Sequence, residues 1–214
     1  MGLALYSFSR FILRRLAVVF NILEVRGRQH VPLAGPLIVT ANHTSYLDPI
    51  ALGTALDRPL SFMARRTLFI NPVFSWLIRS HFAFPVDREG DIRDAIRLFS
   101  RRLSQGMAVV MFPEGTRSAT GKIGELKTGV GLIAVKNRSP VLPVYVWGTY
   151  QAWPRHRRFP RPHRIKVIIG KVIPPPPAGG DIDRKAEQKR IADAVRNQLL
   201  ALETEAWADE DGGI

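Results

Sequence analysis

Short, almost unbroken apolar runs alternate along this chain with longer stretches whose apolar positions recur every three or four residues. The runs at 37–39, 60–64, 82–86, 107–112, 141–146 and 164–170 are bounded by Gly, Pro or polar clusters, which predicts strands. Between them, 47–56, 68–78, 91–104 and 130–135 predict helices. Ile191, Val195, Leu199 and Leu202 place an amphipathic helix over 182–205. Over 91–104, Ile92, Ala95, Ile96, Phe99 and Leu103 keep helical spacing, Gly106 ends the pattern, and Arg93, Arg97, Arg101 and Arg102 form a solvated face. Residues 68–78 hold Phe69, Phe74 and Trp76, too many aromatics for one buried stripe. A core helix is the expected arrangement, with contact to lipid or to an acyl chain as the alternative. A strand-like piece at 25–31 turns at Gly27, 121–127 reads as a mobile polar loop, 148–162 as a second loop, and 174–177 as a stiff polyproline exit. Strands alternating with helices predict an α/β fold: a single domain with a mostly parallel or mixed sheet flanked by helices.

The first 23 residues stand apart. Leu3, Leu5, Phe8, Phe11, Ile12, Leu16, Val19, Phe20 and Leu23 are interrupted by Arg10, Arg14 and Arg15. No run approaches the ~18 apolar residues of a spanning helix, and arginines in mid-bilayer are costly. An amphipathic helix lying in the membrane interface fits the pattern, and so does a terminal helix packed on the protein's own core. No clean secretory cleavage site follows. Thirty-one Lys and Arg against eighteen Asp and Glu give a formal charge of +13, which favours polyanionic partners such as nucleic acid, anionic lipid or phosphorylated substrates. Cysteine is absent, so disulfides and thiolate chemistry are excluded.

Chemistry concentrates at the end of the first strong run. Asn42, His43, Thr44 and Ser45 follow the strand, and Asp48-Pro49 suits the first turn of a helix. An imidazole works as a general base when one ring nitrogen is free and the other is held by an acceptor. A carboxylate five residues on can fold back across a corner to hold it. The same residues also suit a His that caps the helix and an Asp that merely starts it.

The run at 107–112 delivers a second cluster, Pro113-Glu114-Gly115-Thr116-Arg117-Ser118. Asn42-His43 to Asp48, reading NHxxxxD, and 112–118, reading FPEGTRS, together resemble the signatures of the glycerolipid acyltransferase family that includes lysophosphatidic acid acyltransferases. Residues 82–88 and 141–144 resemble two weaker blocks of that family, in the same order, and the likeness covers 24–173. The resemblance implies an α/β acyltransferase with His43 as base and Asp48 as its orienting acid. Arg88 and Arg117 would bind the acceptor phosphate, a role the bidentate guanidinium suits. Glu114 would help to bind the glycerol-phosphate part or hold Arg117, Gly115 would permit close backbone approach, and Thr116 would hydrogen-bond phosphate.

The implied reaction moves a fatty acyl group from acyl-CoA or acyl-carrier protein (acyl-ACP) to a lysophospholipid, 1-acyl-sn-glycerol 3-phosphate above all. Glycerol 3-phosphate and other lysolipids are alternative acceptors, and a non-catalytic basic membrane- or nucleic-acid-binding module is the alternative from another class. Ser45 lies too close to His43 to be assumed a nucleophile, so direct transfer without an acyl-enzyme is expected. Backbone N–H groups at the Asn42 corner are candidate oxyanion donors. No cofactor or metal is expected. The regions are then 1–23, a membrane-associating helix; 24–173, the catalytic domain; and 174–214, the Pro-rich exit and C-terminal helix. Trp153, Arg155, Arg157, Arg158, Phe159, Arg161 and Arg164 interleave aromatics with charge. The preferred partner is an anionic membrane surface on the cytoplasmic side, contacted peripherally, with no nucleic acid.

Overall fold

The computed structural model describes residues 2–19, 22–86, 92–177 and 183–211. Its centre is a seven-stranded sheet formed by β1 (Leu23–Arg26), β2 (Leu37–Ala41), β3 (Leu60–Arg65), β4 (Phe84–Val86), β5 (Ala108–Met111), β6 (Val141–Trp147) and β7 (Ile165–Ile169). The spatial order is β1-β7-β6-β2-β5-β3-β4, and every neighbouring pair is parallel except β6 and β7. β2 and β6 are buried along their whole length, which is why they read as solid apolar runs with no alternation.

Successive residues of the sheet feed two cores. Leu37, Val39 and Ala41 meet Leu52 and Leu56 of the segment that carries α2 (Asp48–Ala55). On the opposite face Ile38, Val109 and Val141 meet Phe99 and Leu103 of α4 (Ile92–Ser104), Val130 and Ile133 of α5 (Gly129–Asn137), and Ile191, Val195 and Leu199 of α7 (Arg184–Asp211). The result is helices on both faces of a mainly parallel sheet, as the alternating pattern predicts.

Some boundaries differ from the sequence reading. The strand-like piece at 25–31 is β1 followed by a 3-10 turn, Arg28–His30. β4 begins two residues later than expected because Phe82 has φ +60° and its carbonyl accepts a 2.7 Å bond from Ser61 Oγ. The expected loop at 148–162 opens with a helical turn, α6 (Thr149–Ala152). α3 (Pro72–Ser80), capped by the Asn71 side chain on the Phe74 N–H, is not a core helix, for none of its residues is buried. Ile70 is 78% exposed, Val73 74% and Trp76 56%, so the aromatics face outwards.

α1 (Gly2–Val19) packs against α2 and α3 through the buried Tyr6, whose ring lies 5.6 Å from Phe82 and whose hydroxyl accepts the Leu60 N–H. Two of its arginines turn inwards, as a terminal helix packed on the protein's own core would place them. Arg10 donates to the Leu56 carbonyl, and Arg14 donates to those of Thr54 and Ala55 and pairs with Asp57 at 2.7 Å. Carbonyls at a helix C-terminus lack intrahelical partners and carry the negative end of the dipole, so guanidinium groups are drawn there. Leu3, Phe8, Phe11 and Leu16 are left exposed. Among the described residues no helix is long and apolar enough to cross a membrane.

Candidate active site

β6, β2 and β5 are adjacent and parallel, so their C-terminal ends emerge side by side. Open α/β sheets collect ligands at that edge. β2 delivers Asn42 and His43, β5 delivers Phe112 to Arg117, and β6 delivers Gly148 and Thr149. Asn42 locks two of these ends together: its side chain donates to the Val146 carbonyl at 2.9 Å and accepts the Val146 N–H at 2.7 Å.

His43 and Asp48 come together across this corner. Nδ1 of His43 lies 2.8 Å from Asp48 Oδ2. Asp48 is fully buried, and the same oxygen accepts the N–H groups of Thr44 at 2.7 Å and Ser45 at 2.8 Å. Its other oxygen accepts the hydroxyl hydrogen of Thr149 at 2.5 Å, and the Thr44 hydroxyl, 3.0 Å from Thr149 Oγ1, closes the network. An ionised carboxylate is acceptor-only, so Nδ1 carries the shared proton and Nε2 of the neutral ring keeps a free lone pair. The Phe112 ring stacks on the imidazole at 4.0 Å and 16°, which fixes its plane. The His43 side chain is 18% exposed, enough for a hydroxyl to reach it.

The N–H groups of His43, Thr44 and Ser45 are already committed, which removes these three as oxyanion donors. Those of Thr44 and Ser45 serve Asp48, and that of His43 donates to Glu114 Oε1 at 2.8 Å. Ser45 Oγ donates to the Trp153 carbonyl and accepts the Leu47 N–H, which leaves it no role as a nucleophile.

Glu114 does not hold Arg117. It is buried, its second oxygen accepts the Gly124 N–H at 3.2 Å, and burial raises its pKa above the ordinary carboxylate value. It ties the His43 corner to the loop over 121–127, which is anchored and not the free loop expected. Arg117 instead lies flat on the Tyr46 ring, 3.6 Å from its centroid, and its Nη1 is buried without a partner among the described residues. The next residue, Ser118, donates its N–H to the His43 carbonyl at 2.7 Å, so Arg117 belongs to the same corner. Gly115 and Thr116 are exposed at the tip of the turn. Arg88 lies outside the described residues. Among those residues no group of three or more His, Asp or Glu is close enough to hold a metal ion.

Thr149 and Phe112 are absent from the site predicted by sequence. Thr149 is 101 residues from Asp48 and carries no motif. It is placed by Gly148, whose φ of +87° turns the chain, and a Cβ there would come within 2.0 Å of the Arg164 carbonyl oxygen. Phe112 stands inside the FPEGTRS motif, but its stacking role follows only from the pairing of β2 with β5.

The family model described as Acyltransferase matches residues 22–147, a segment that holds all seven residues singled out in the sequence. The chain is similar to the 1-acyl-sn-glycerol-3-phosphate acyltransferase alpha of Mus musculus, 32% identical over 214 residues that cover 95% of this chain and 72% of the relative. It is also similar to a 1-acyl-sn-glycerol-3-phosphate acyltransferase of Chlamydomonas reinhardtii, 29% identical over 89% of this chain; it spans 58% of that protein's length. Its mixed α/β fold is shared with the crystal structure of the 1-acyl-sn-glycerophosphate (LPA) acyltransferase PlsC from Thermotoga maritima. The TM-score is 0.61 and the identity 31%, over 82% of this chain and 71% of that one.

Proposed function

Because this chain belongs to the acyltransferase family, we propose that it transfers a fatty acyl group from acyl-CoA or acyl-ACP to the free hydroxyl of 1-acyl-sn-glycerol 3-phosphate, giving phosphatidic acid. The observation that carries the reading is the buried Asp48 holding Nδ1 of His43 and leaving Nε2 available. Nε2 takes the proton of the acceptor hydroxyl as its oxygen bonds to the thioester carbonyl carbon. Asp48 stabilises the imidazolium, the C–S bond breaks, and the imidazolium returns its proton to the leaving thiolate. No acyl-enzyme forms, since Ser45 is engaged and the chain has no cysteine. Arg117 and Arg88 grip the acceptor phosphate, and no cofactor is required.

A panel of 1-acyl-sn-glycerol 3-phosphate, glycerol 3-phosphate and monoacylglycerol, each offered with acyl-CoA or acyl-ACP, tests this by mass spectrometry of the products. Phosphatidic acid is the expected main product. Arg117→Ala should raise KM for the phosphorylated acceptor by roughly 10- to 100-fold, the range of a hydrogen bond to a charged group, with the thioester KM little changed. Equal acylation of the unphosphorylated lipid would remove phosphate recognition from the reading.

The exposed apolar faces of α1 and α3 support peripheral attachment to an anionic membrane. Phe8, Phe11, Val73 and Ile70 just ahead of α3 would dip into the interface, while the exposed Arg65 precedes α3, the exposed Arg79 stands in its last turn, and the chain as a whole is strongly cationic. Serine at all four positions should weaken partition onto anionic liposomes at least about tenfold, because each fully buried large apolar side chain is worth roughly 1.5–3 kcal/mol. Undiminished flotation would place the membrane contact elsewhere.

A further inference from the structure

The loop over 121–127 carries a cation to the mouth of the site. It is secured at four places: Ser118 Oγ donates to the Lys122 carbonyl at 2.7 Å, and the Ile123 N–H donates to Glu203 of α7 at 3.2 Å. The Gly124 N–H donates to Glu114, and the Lys127 N–H to the Pro113 carbonyl at 3.0 Å. Lys127 therefore leaves the loop beside the start of the Pro113–Arg117 turn. Its side chain then runs across Gly115, where a Cβ would lie 3.2 Å from Nζ, 3.5 Å from Cε and 3.8 Å from Cδ. With φ of +69° and no side chain, Gly115 is the residue that lets an ammonium settle there.

No carboxylate among the described residues pairs with Lys127, which is exposed. Glu125, the acid nearest in sequence, is exposed and forms no ion pair with it, and Glu114 spends both oxygens on N–H groups. A phosphomonoester carries a charge of about −1.5 to −2 near neutral pH, so Arg117, the one of the two proposed phosphate-binding arginines among the described residues, leaves much of it uncompensated. We propose that Lys127 is a further cation of the acceptor site: it binds the terminal phosphate of the acceptor across Gly115 and so selects phosphomonoester lipids. This deepens the reading above and rests on it. Lysine suits the place because a point charge on a flexible stem follows the phosphate as the turn adjusts, whereas Arg117 is held against Tyr46.

The test is steady-state kinetics of the full chain with 1-acyl-sn-glycerol 3-phosphate in mixed micelles, for wild type, Lys127→Met, Lys127→Arg and Arg117→Ala. Lys127→Met should raise KM for the acceptor about tenfold, with kcat and the thioester KM within about twofold of wild type, and Lys127→Arg should recover most of the loss. If Arg117→Ala raises the acceptor KM and Lys127→Met does not, the Lys127 assignment is wrong and phosphate recognition stands. If neither moves it, phosphate recognition fails and takes this proposal with it. A joint fall in kcat and rise in both KM values, unrelieved by arginine, would show Lys127 to be a structural part of the loop.

Discussion

Replacing His43 with alanine should lower kcat by about 10²- to 10⁴-fold, the usual contribution of a positioned general base. Stability should barely change. The imidazole is partly exposed and makes one side-chain hydrogen bond, and without it Asp48 Oδ2 still accepts the N–H groups of Thr44 and Ser45. The measurement is thioester consumption alongside a thermal melt of both proteins. Equal turnover by the two would mean that His43 is not the base, and a melt collapsed by the substitution would mean that its role is structural.

Asp48 should behave differently. Asp48→Ala strips an acceptor from two backbone N–H groups and the Thr149 hydroxyl in a fully buried site. At about 1–3 kcal/mol for each donor left unmet, the loss is on the order of 3–9 kcal/mol, and Tm should fall by roughly 10 °C or more. Asp48→Asn separates charge from geometry. The amide oxygen can take the place of Oδ2 and keep the bonds from His43, Thr44 and Ser45, while its NH2 donates to Thr149 Oγ1, which then turns its own hydrogen away. The ring orientation survives but the imidazolium loses its counter-charge, so kcat should drop roughly 10- to 100-fold with most of the stability retained. If the asparagine variant melts as low as the alanine variant, the four bonds are not shared between the two oxygens as described here.

The parts of this site that could be read from sequence are those whose cause is local. β2 and β6 lie in mid-sheet between helical layers, so burial on both faces turns each into an apolar run. His43 and Asp48 are five residues apart, and a strand-to-helix corner is enough to bring them together. Thr149 acts on Asp48 only because β6 happens to lie beside β2, an adjacency that no periodicity records. The same holds for α3. Its aromatic content suggests core, and only the tertiary arrangement shows that, although α1 packs against it, none of its residues is buried. The inward turn of Arg10 and Arg14 is hidden from the sequence for a related reason: the α2 carbonyls that draw them in are some forty residues away along the chain. Nor does a lysine in a polar loop stand out until the glycine beneath it is seen.

The two ends of α2 answer to different masters. Asp48 begins it, and the carbonyls closing it are gripped by guanidinium groups of the very helix that leaves Phe8 and Phe11 exposed. Eight residues, about 12 Å, separate the two. Shearing off the first nineteen residues would therefore unbolt the far end of the lever that aims the imidazole, and a truncated enzyme would turn over slowly even where substrate is freely dispersed in detergent. Anchorage and turnover can be told apart only by altering the outward face of α1 while its two inward arginines stay in place.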